Sequence, residues 1–269
     1  MGMKKRMLSI LGLAMAFLLT SCLEYKTEIT LNKDGSGTIT EETVFGAQVI
    51  GMLEMAAAQG GETENPLTEL KDEAKAKAKA KTYGEGVTLE KIEEVKRDGG
   101  KGVKVTYKFT DINKITFNPG GSLGDMAPGE EAVERVKEEE AKFEYADGKL
   151  TIILPQPEKE DGEEGAKDDG DAADELDPQA AIAMQMMRGM KMSATLTAAP
   201  AIAETDATYH EGNTITLFEV DFNTIMDNPE GMKALQKLDM KDQAKTAEVL
   251  GKIKGVKAEA KEKVTLTIK

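Results

Sequence analysis

The sequence predicts an α+β fold, a curved antiparallel sheet built from hairpins with several covering helices. First, apolar and polar residues alternate with a period of two around Asp34-Gly35, Asp98-Gly99 and Asp147-Gly148, the strongest short-range hairpin signal. Second, intervening segments place apolar residues at helical spacing. Third, the 269-residue chain is long enough to bury one sizeable core or two modest ones.

The first predicted hairpin occupies "ITLNKDGSGTITEE". The same stretch partly matches an EF-hand calcium loop, with Thr30, Asn32, Asp34, Gly35 and Glu41 at positions 1, 3, 5, 6 and 12. Position 1 is Thr instead of Asp, position 8 is Gly, and the flanking residues alternate as strands do. The pattern therefore favours a hairpin over a calcium site.

Two helices are predicted after this hairpin. The first has Val49, Met52 and Leu53 at helical spacing and stops at Gly60-Gly61. The second begins at Asn65-Pro66 and continues into "KAKAKAKAKT", which predicts a solvated helix with one apolar edge. A basic membrane-surface helix is the alternative, but bulky apolar residues are missing from its opposite face.

Later segments complete the predicted sheet. The two further Asp-Gly pairs each turn a hairpin, "HEGN" turns a fourth hairpin into "TITLFEVDF", and a terminal strand, "KVTLTIK", docks into the sheet. Short helices are predicted from Asn228-Pro229 and over roughly 242–253.

Residues 157–177 mark the main change in composition. This segment holds eleven acidic residues, two Lys and several Gly, so it predicts an acidic disordered loop. It divides the predicted domain into parts 22–156 and 178–269. A weak divalent-cation sponge is the alternative.

A Met-rich helix is predicted after this loop, over "DPQAAIAMQMMRGMKM". Flexible, polarisable Met side chains can grip varied apolar partners, although they also pack in ordinary cores. A possible apolar groove would combine Met184 and Met187 with Val49 and Leu53 of the first predicted helix.

The amino end has the pattern of a secretory signal. Lys4, Lys5 and Arg6 precede an apolar run that is too short to span a bilayer. The following Leu-Thr-Ser-Cys, which ends at Cys22, resembles the lipobox of bacterial lipoproteins. The resemblance implies that 1–21 are a removed signal peptide and that Cys22 carries fatty acid, such as palmitate.

The position after the lipobox bears on localisation. It is occupied by Leu23 instead of Asp, and in bacteria with an outer membrane the resemblance then favours that membrane over the inner one. The soluble domain would lie in the periplasm or at the cell surface.

Composition excludes several function classes. The formal charge of −14 argues against nucleic acid as a partner. One His, His210, and one Cys cannot supply a zinc site or a usual catalytic triad, and no phosphate-binding loop is present. We therefore expect no catalytic residue, no metal and no cofactor, and a protein that is not an enzyme.

Several segments together resemble the LppM-like domain of bacterial lipoproteins. They are the "DGSGT" hairpin, "GVKVTYKFTDINKI", "KFEYADGKLTIILP" and "AAPAIAETDATYHEGNTITL", within roughly 24–225. This sequence departs from the family at Asp206, where Asn is expected, in the missing Trp of the closing strand, and in its acidic insert. The resemblance implies a curved antiparallel sheet, no catalytic site, and binding of lipid or another apolar ligand.

Two main functions remain open from the sequence. The protein is either a non-enzymatic envelope lipoprotein that binds an apolar ligand or a partner protein, or a structural lipoprotein without a small ligand. A hydrolase with a carboxylate site is the third alternative.

Overall fold

The computed structural model describes residues 22–58, 66–119, 140–155, 188–199, 201–231 and 251–269. Strands in these ranges are β1 (Leu23–Leu31), β2 (Gly37–Phe45), β3 (Thr88–Arg97), β4 (Gly100–Phe109), β5 (Thr116–Phe117), β6 (Ala141–Ala146), β7 (Lys149–Ile153), β8 (Met190–Ala198), β9 (Ile202–Thr205), β10 (His210–Glu211), β11 (Thr214–Asp221), β12 (Val256–Ala258) and β13 (Lys263–Ile268). The helices are α1 (Ala47–Ala58), α2 (Pro66–Leu70), α3 (Glu73–Thr82) and α4 (Phe222–Met226), with a 3-10 turn at Ile112–Lys114. The α+β class predicted from the sequence is confirmed.

Strands form two sheets in the described part of the chain, where the sequence predicted one. The main sheet has the order β10-β11-β8-β1-β2-β4-β3, and β12 pairs with β11. The second sheet has the order β5-β6-β7-β13-β9. The strand β1 pairs with β8 in parallel, whereas the other pairings are antiparallel. The main sheet is therefore not built from hairpins alone.

The predicted hairpins at the three Asp-Gly pairs are confirmed, with two kinds of turn. Asp98 and Gly99 both have positive φ, 51° and 78°, as do Asp147 and Gly148, 52° and 78°. Such two-residue turns match the right-handed twist of the strands they join. Only Gly35 has positive φ in the first hairpin, which has a five-residue loop at 32–36 between β1 and β2.

The core is a single contiguous cluster that includes residues from both sheets. On β1 and β4 it uses every second residue, as the period of a strand requires. Because α3 contributes only Ala76 and Ala80 to the core, it can lie close to the sheet. Its Lys side chains point away, as the low-complexity sequence predicted, except for Lys79.

Two predicted helices require correction. The helix expected from Asn65-Pro66 divides into α2 and α3, because Asp72 accepts hydrogen bonds from the backbone N–H groups of Ala74 and Lys75 and starts a new helix. The Met-rich helix expected up to Met192 is wrong in its last residues.

The structure places β8, a strand, from Met190 onwards. In this strand Met190 and Met192 alternate with polar residues. The strand pairs with β1 on one side and with β11 on the other. Pairing with two neighbouring strands has overridden the helical spacing. The earlier part of the predicted helix lies outside the described residues, as does the acidic segment 157–177.

Three further predictions have definite outcomes. The terminal strand is confirmed as β13, between β7 and β9. Backbone at 229–231 is helical, and the Asn228 side chain accepts the N–H of Glu230 at 3.1 Å, so the predicted helix start is confirmed. Residues 251–253 form turns rather than the end of a helix, and the rest of that prediction, 242–250, lies outside the described residues.

Candidate functional site

A buried carboxylate stands on the inner face of the main sheet. Glu41 of β2 is 7% exposed and lies between Thr27 of β1 and Val105 of β4 in the strand register. The neighbouring inner position on β2 is Ile39, which is fully buried. A charge at such a position is costly unless it is paired and hydrogen-bonded.

Three tyrosines and one lysine surround this carboxylate; we call the five residues the Glu41 cluster. The hydroxyls of Tyr25 and Tyr83 both donate to Glu41 Oε1 at 2.6 Å. The Tyr107 hydroxyl donates to Oε2 at 3.3 Å. Lys79 Nζ lies 2.8 Å from Oε1.

The four partners come from two strands and from α3 with its C-cap. Tyr25 lies on β1 and Tyr107 on β4, on the two rungs that flank Glu41, where diagonal cross-strand neighbours of this length can reach. Lys79 projects from α3, and Tyr83 immediately follows α3 as its C-cap. The rings of Tyr83 and Tyr107 also pack together, with centroids 5.3 Å apart.

The electrostatics of the cluster favour an ionised carboxylate. Burial alone raises the pKa of Glu41, but the charge of Lys79 and the hydrogen bonds from Lys79, Tyr25 and Tyr83 outweigh burial and hold this pKa below its ordinary value. Burial, followed by the charge of Glu41, raises the pKa of Tyr83 well above its ordinary value and also raises that of Tyr107. Tyr83 and Tyr107 are therefore neutral donors at physiological pH.

This arrangement fits a structural clamp. A carboxylate offers about four lone-pair sites. Three of the four donors lie at Oε1 and the Tyr107 hydroxyl alone lies at Oε2. An ionised Glu41 has no proton to give, and each of these hydrogen bonds comes from within the fold. The cluster instead ties α3 and its C-cap to β1, β2 and β4.

From the sequence alone, Glu41 is only the last position of a disfavoured calcium loop. The strand pattern could have indicated that Glu41 is buried, because Glu41 follows Ile39 on the face that the alternation assigns to the core. An acidic residue at an inward position predicts buried donors nearby, although not which residues supply them.

Cys22, the predicted lipidation residue, lies at one end of the main sheet. It directly precedes β1 and is partly exposed. Its backbone N–H donates to the Gly189 carbonyl at 2.8 Å, and its own carbonyl accepts from the N–H of Gly46 at 2.8 Å. Gly189 has a φ of +86°, and a Cβ there would lie 2.9 Å from Cys22 Sγ, so glycine leaves room for the thiol.

Helix α1 begins beside this cysteine. Gly46, which bonds to Cys22, immediately precedes the helix. Ile50 is buried, the predicted groove residues Val49 and Leu53 are half-buried, and Met52 and Met55 are 62% and 64% exposed. Met184 and Met187, the other two groove residues, lie outside the described residues, so the predicted groove stays a prediction.

The outer face of the main sheet is polar and carries a band of threonines. Thr30 lies between Thr38 and Thr197, and Thr197 in turn pairs with Thr214. Among the described residues, Thr106 Oγ1 is the one buried side-chain polar atom without a hydrogen-bond partner. It lies opposite Thr40 on this same face, away from the Glu41 cluster.

The described residues also bear on a metal site and on a membrane-spanning helix. No group of three or more His, Cys, Asp or Glu side chains there could hold a metal ion. His210 is exposed in the short strand β10. None of the helices described is long and apolar enough to cross a membrane.

Comparisons with known proteins add one distant structural likeness. No family model matches this chain, and no curated protein matches it. The NMR structure of the folded domain of LppM from Mycobacterium tuberculosis aligns with a TM-score of 0.28 and 9% sequence identity, over 76% of this chain and 85% of that one.

Proposed function

We propose that this protein is a non-enzymatic lipoprotein of the bacterial cell envelope, anchored to a membrane through acyl chains on Cys22. Its soluble domain would bind a lipid-like or other apolar ligand, or a partner protein. The single observation that carries the anchor is the place of the chain's one cysteine. Cys22 ends the Leu-Thr-Ser-Cys motif, is partly exposed, and directly precedes β1.

The local geometry is compatible with lipidation. In a lipoprotein the amino group of the modified cysteine becomes an acylated amide, which retains one N–H. One N–H is all that the bond from Cys22 to the Gly189 carbonyl requires. Cys22 is partly exposed, which is compatible with a diacylglycerol on its thiol, and several acyl chains on one residue give stable membrane anchoring.

The outer membrane is the proposed location, because Leu23 follows the cysteine instead of Asp. A binding role is proposed because the donors around Glu41, in the best-defined polar cluster of the described residues, all come from the fold itself, which suits a structural clamp and not a chemical step. A structural lipoprotein without a small ligand is the second candidate. The purely internal contacts of the Glu41 cluster are compatible with it.

The anchor is tested by labelling cells with radioactive palmitate. We expect label on the wild-type chain, none on a Cys22→Ser variant, and loss of that variant from the membrane fraction. Unlabelled wild-type protein, or wild-type protein found wholly in the cytosol, would contradict the proposal.

The ligand is tested separately on the Cys22→Ser chain by native mass spectrometry before and after extraction with organic solvent. We expect an added mass that extraction removes. A chain without added mass in both samples would favour the structural lipoprotein over the ligand-binding one.

A further inference from the structure

The outward side of α1 is apolar where the exposed face of a helix is normally polar. Gln48, Met52 and Met55 follow one another at spacings of four and three residues, so they share one stripe, and all three are exposed. Met52 and Met55 are the large exposed apolar residues of the described chain. We call this stripe the exposed face of α1.

Charge is nearly absent from this helix, although charged residues make up 31% of the whole chain. Its twelve residues include one charged side chain, Glu54. Lys101 of β4 lies 2.8 Å from that carboxylate and neutralises it. The exposed face of α1 is therefore an uncharged patch of two methionines and one glutamine on a strongly acidic protein.

The position of this patch indicates what covers it. The hydrogen bond between Cys22 and Gly46 fixes the first turn of α1 beside the anchor residue. At the rise of an α-helix, Met52 lies about 8 Å and Met55 about 12 Å along the axis from Ala47. A bilayer that holds acyl chains on Cys22 thus lies within one short helix length of both methionines.

We propose that α1 lies on the membrane to which Cys22 is anchored, with Met52 and Met55 inserted between the lipids. Interfacial helices bury their apolar face about 5–10 Å into the boundary between headgroups and acyl chains. The inference rests on the proposed lipid anchor. It adds an orientation: the Cys22 end of the main sheet faces the bilayer, and the hairpin loop 32–36 at the opposite end of β1 points away from it.

Single tryptophans can test this orientation, because the natural chain has no Trp. The probes are Met52→Trp and Met55→Trp, and the matched control is His210→Trp. His210 is exposed and pairs with Ile215 of β11. Ile215 pairs with Leu196 of β8, and Leu196 pairs with Ile29 of β1, so these four residues form one rung across the sheet. That rung is about 20 Å along the strand direction from Leu23.

Each variant is purified in its acylated form and reconstituted into phosphatidylcholine vesicles, with and without bromine on the acyl chains, which quenches tryptophan on contact. We expect blue-shifted emission and loss of most intensity in the brominated vesicles for both methionine variants. The emission of His210→Trp should remain red-shifted and unquenched in the same vesicles.

Each other outcome has a defined meaning. If intact mass shows no acyl groups on Cys22, the lipid anchor and the docking of α1 fall together. If the protein is acylated and vesicle-bound but all three tryptophans remain unquenched, the anchor stands and the docking is wrong. Blue-shifted emission that bromine does not quench would mean that α1 is covered by protein, either another part of this chain or a second copy. This outcome also overturns the docking.

Discussion

The Glu41 cluster and the exposed face of α1 are opposite exceptions to the usual distribution of side chains. In the first, a charge is buried beneath α3, a helix that contributes only alanines to the core. In the second, Met52 and Met55 are exposed on α1, a helix that is almost free of charge. Buried polar groups and exposed apolar patches are the informative departures from the rule that apolar residues lie inside.

The two regions differ in whether the chain itself supplies a partner for the unusual side chains. Every donor that Glu41 requires comes from elements of the same fold, so removing one should reduce stability. Met52 and Met55 are 62% and 64% exposed and so bury only a minor part of their surface in the fold. Changing them should mainly affect a contact with something outside the domain. Stability measurements can separate the two.

The largest expected effect follows from removing the shared acceptor. Glu41→Ala leaves the buried hydroxyls of Tyr83 and Tyr107 without their partner, and buried unsatisfied groups cost about 1–3 kcal/mol each. We expect the free energy of unfolding to fall by about 2–5 kcal/mol. Urea denaturation of the Cys22→Ser chain, followed by circular dichroism, measures this loss.

A matched control for this change is Glu28→Ala. Glu28 is a half-buried carboxylate on β1, and it accepts a single hydrogen bond, from Thr197 Oγ1 at 2.9 Å. Its removal should cost about 0.5–1.5 kcal/mol. Equal losses for the two variants would contradict the clamp assigned to Glu41.

A smaller effect is expected from removing one donor. Tyr83→Phe deletes the hydroxyl that joins the end of α3 to Glu41, and hydrogen bonds to charged groups contribute about 1.5–3 kcal/mol. The control is Tyr145→Phe, because the Tyr145 hydroxyl donates to the Lys33 carbonyl at 2.8 Å in an exposed setting. The same urea titration should show a clearly smaller loss for the control.

The pH dependence of stability reports on the charge of Glu41. Its pKa is lower in the folded protein than in the unfolded chain, so its contribution is fully present above the ordinary Glu pKa of about 4.3. That contribution is lost as the pH falls through the folded pKa, because the unfolded state then binds more protons. Glu41→Gln cannot titrate and lacks this dependence.

We expect Glu41→Gln to be less stable than wild type by about 1–2 kcal/mol at pH 7, the difference between charged and neutral hydrogen bonds. Titrated from pH 7 into the acid range, the two stability curves should converge. A gap that is constant across that range would show that the carboxylate is not held ionised by its partners.

How much of this could be predicted from the sequence depends on whether a feature is local. The hairpins at Asp98-Gly99 and Asp147-Gly148 were predictable because the turn and the alternation lie in one short segment. The parallel pairing of β1 with β8 was not, because a strand pattern does not encode its partner. The end of the Met-rich segment was misassigned for the same reason, since Met190 and Met192 take their structure from β1 and β11.

The candidate sites divide in the same way. Cys22 could be identified from its own neighbours, because the apolar run and the small residues before it are contiguous. The Glu41 cluster could not be assembled, because Tyr25, Lys79, Tyr83 and Tyr107 converge only when three strands and α3 come together. The helix α1 could be predicted from its own sequence. The exposure of Met52 could not, because it depends on which face of the helix the sheet covers.

The smallest expected effect is on the stability of the soluble domain when the exposed face of α1 is made polar. Exposed positions without internal partners tolerate substitution within about 0.5 kcal/mol, so a Met52→Gln, Met55→Gln double variant of the Cys22→Ser chain should unfold at nearly the wild-type urea concentration. Ile50→Ala on the buried side of the same helix should cost about 2 kcal/mol or more. If the double variant were as destabilised as Ile50→Ala, both methionines would belong to the core of the fold, and α1 would no longer contrast with the Glu41 cluster.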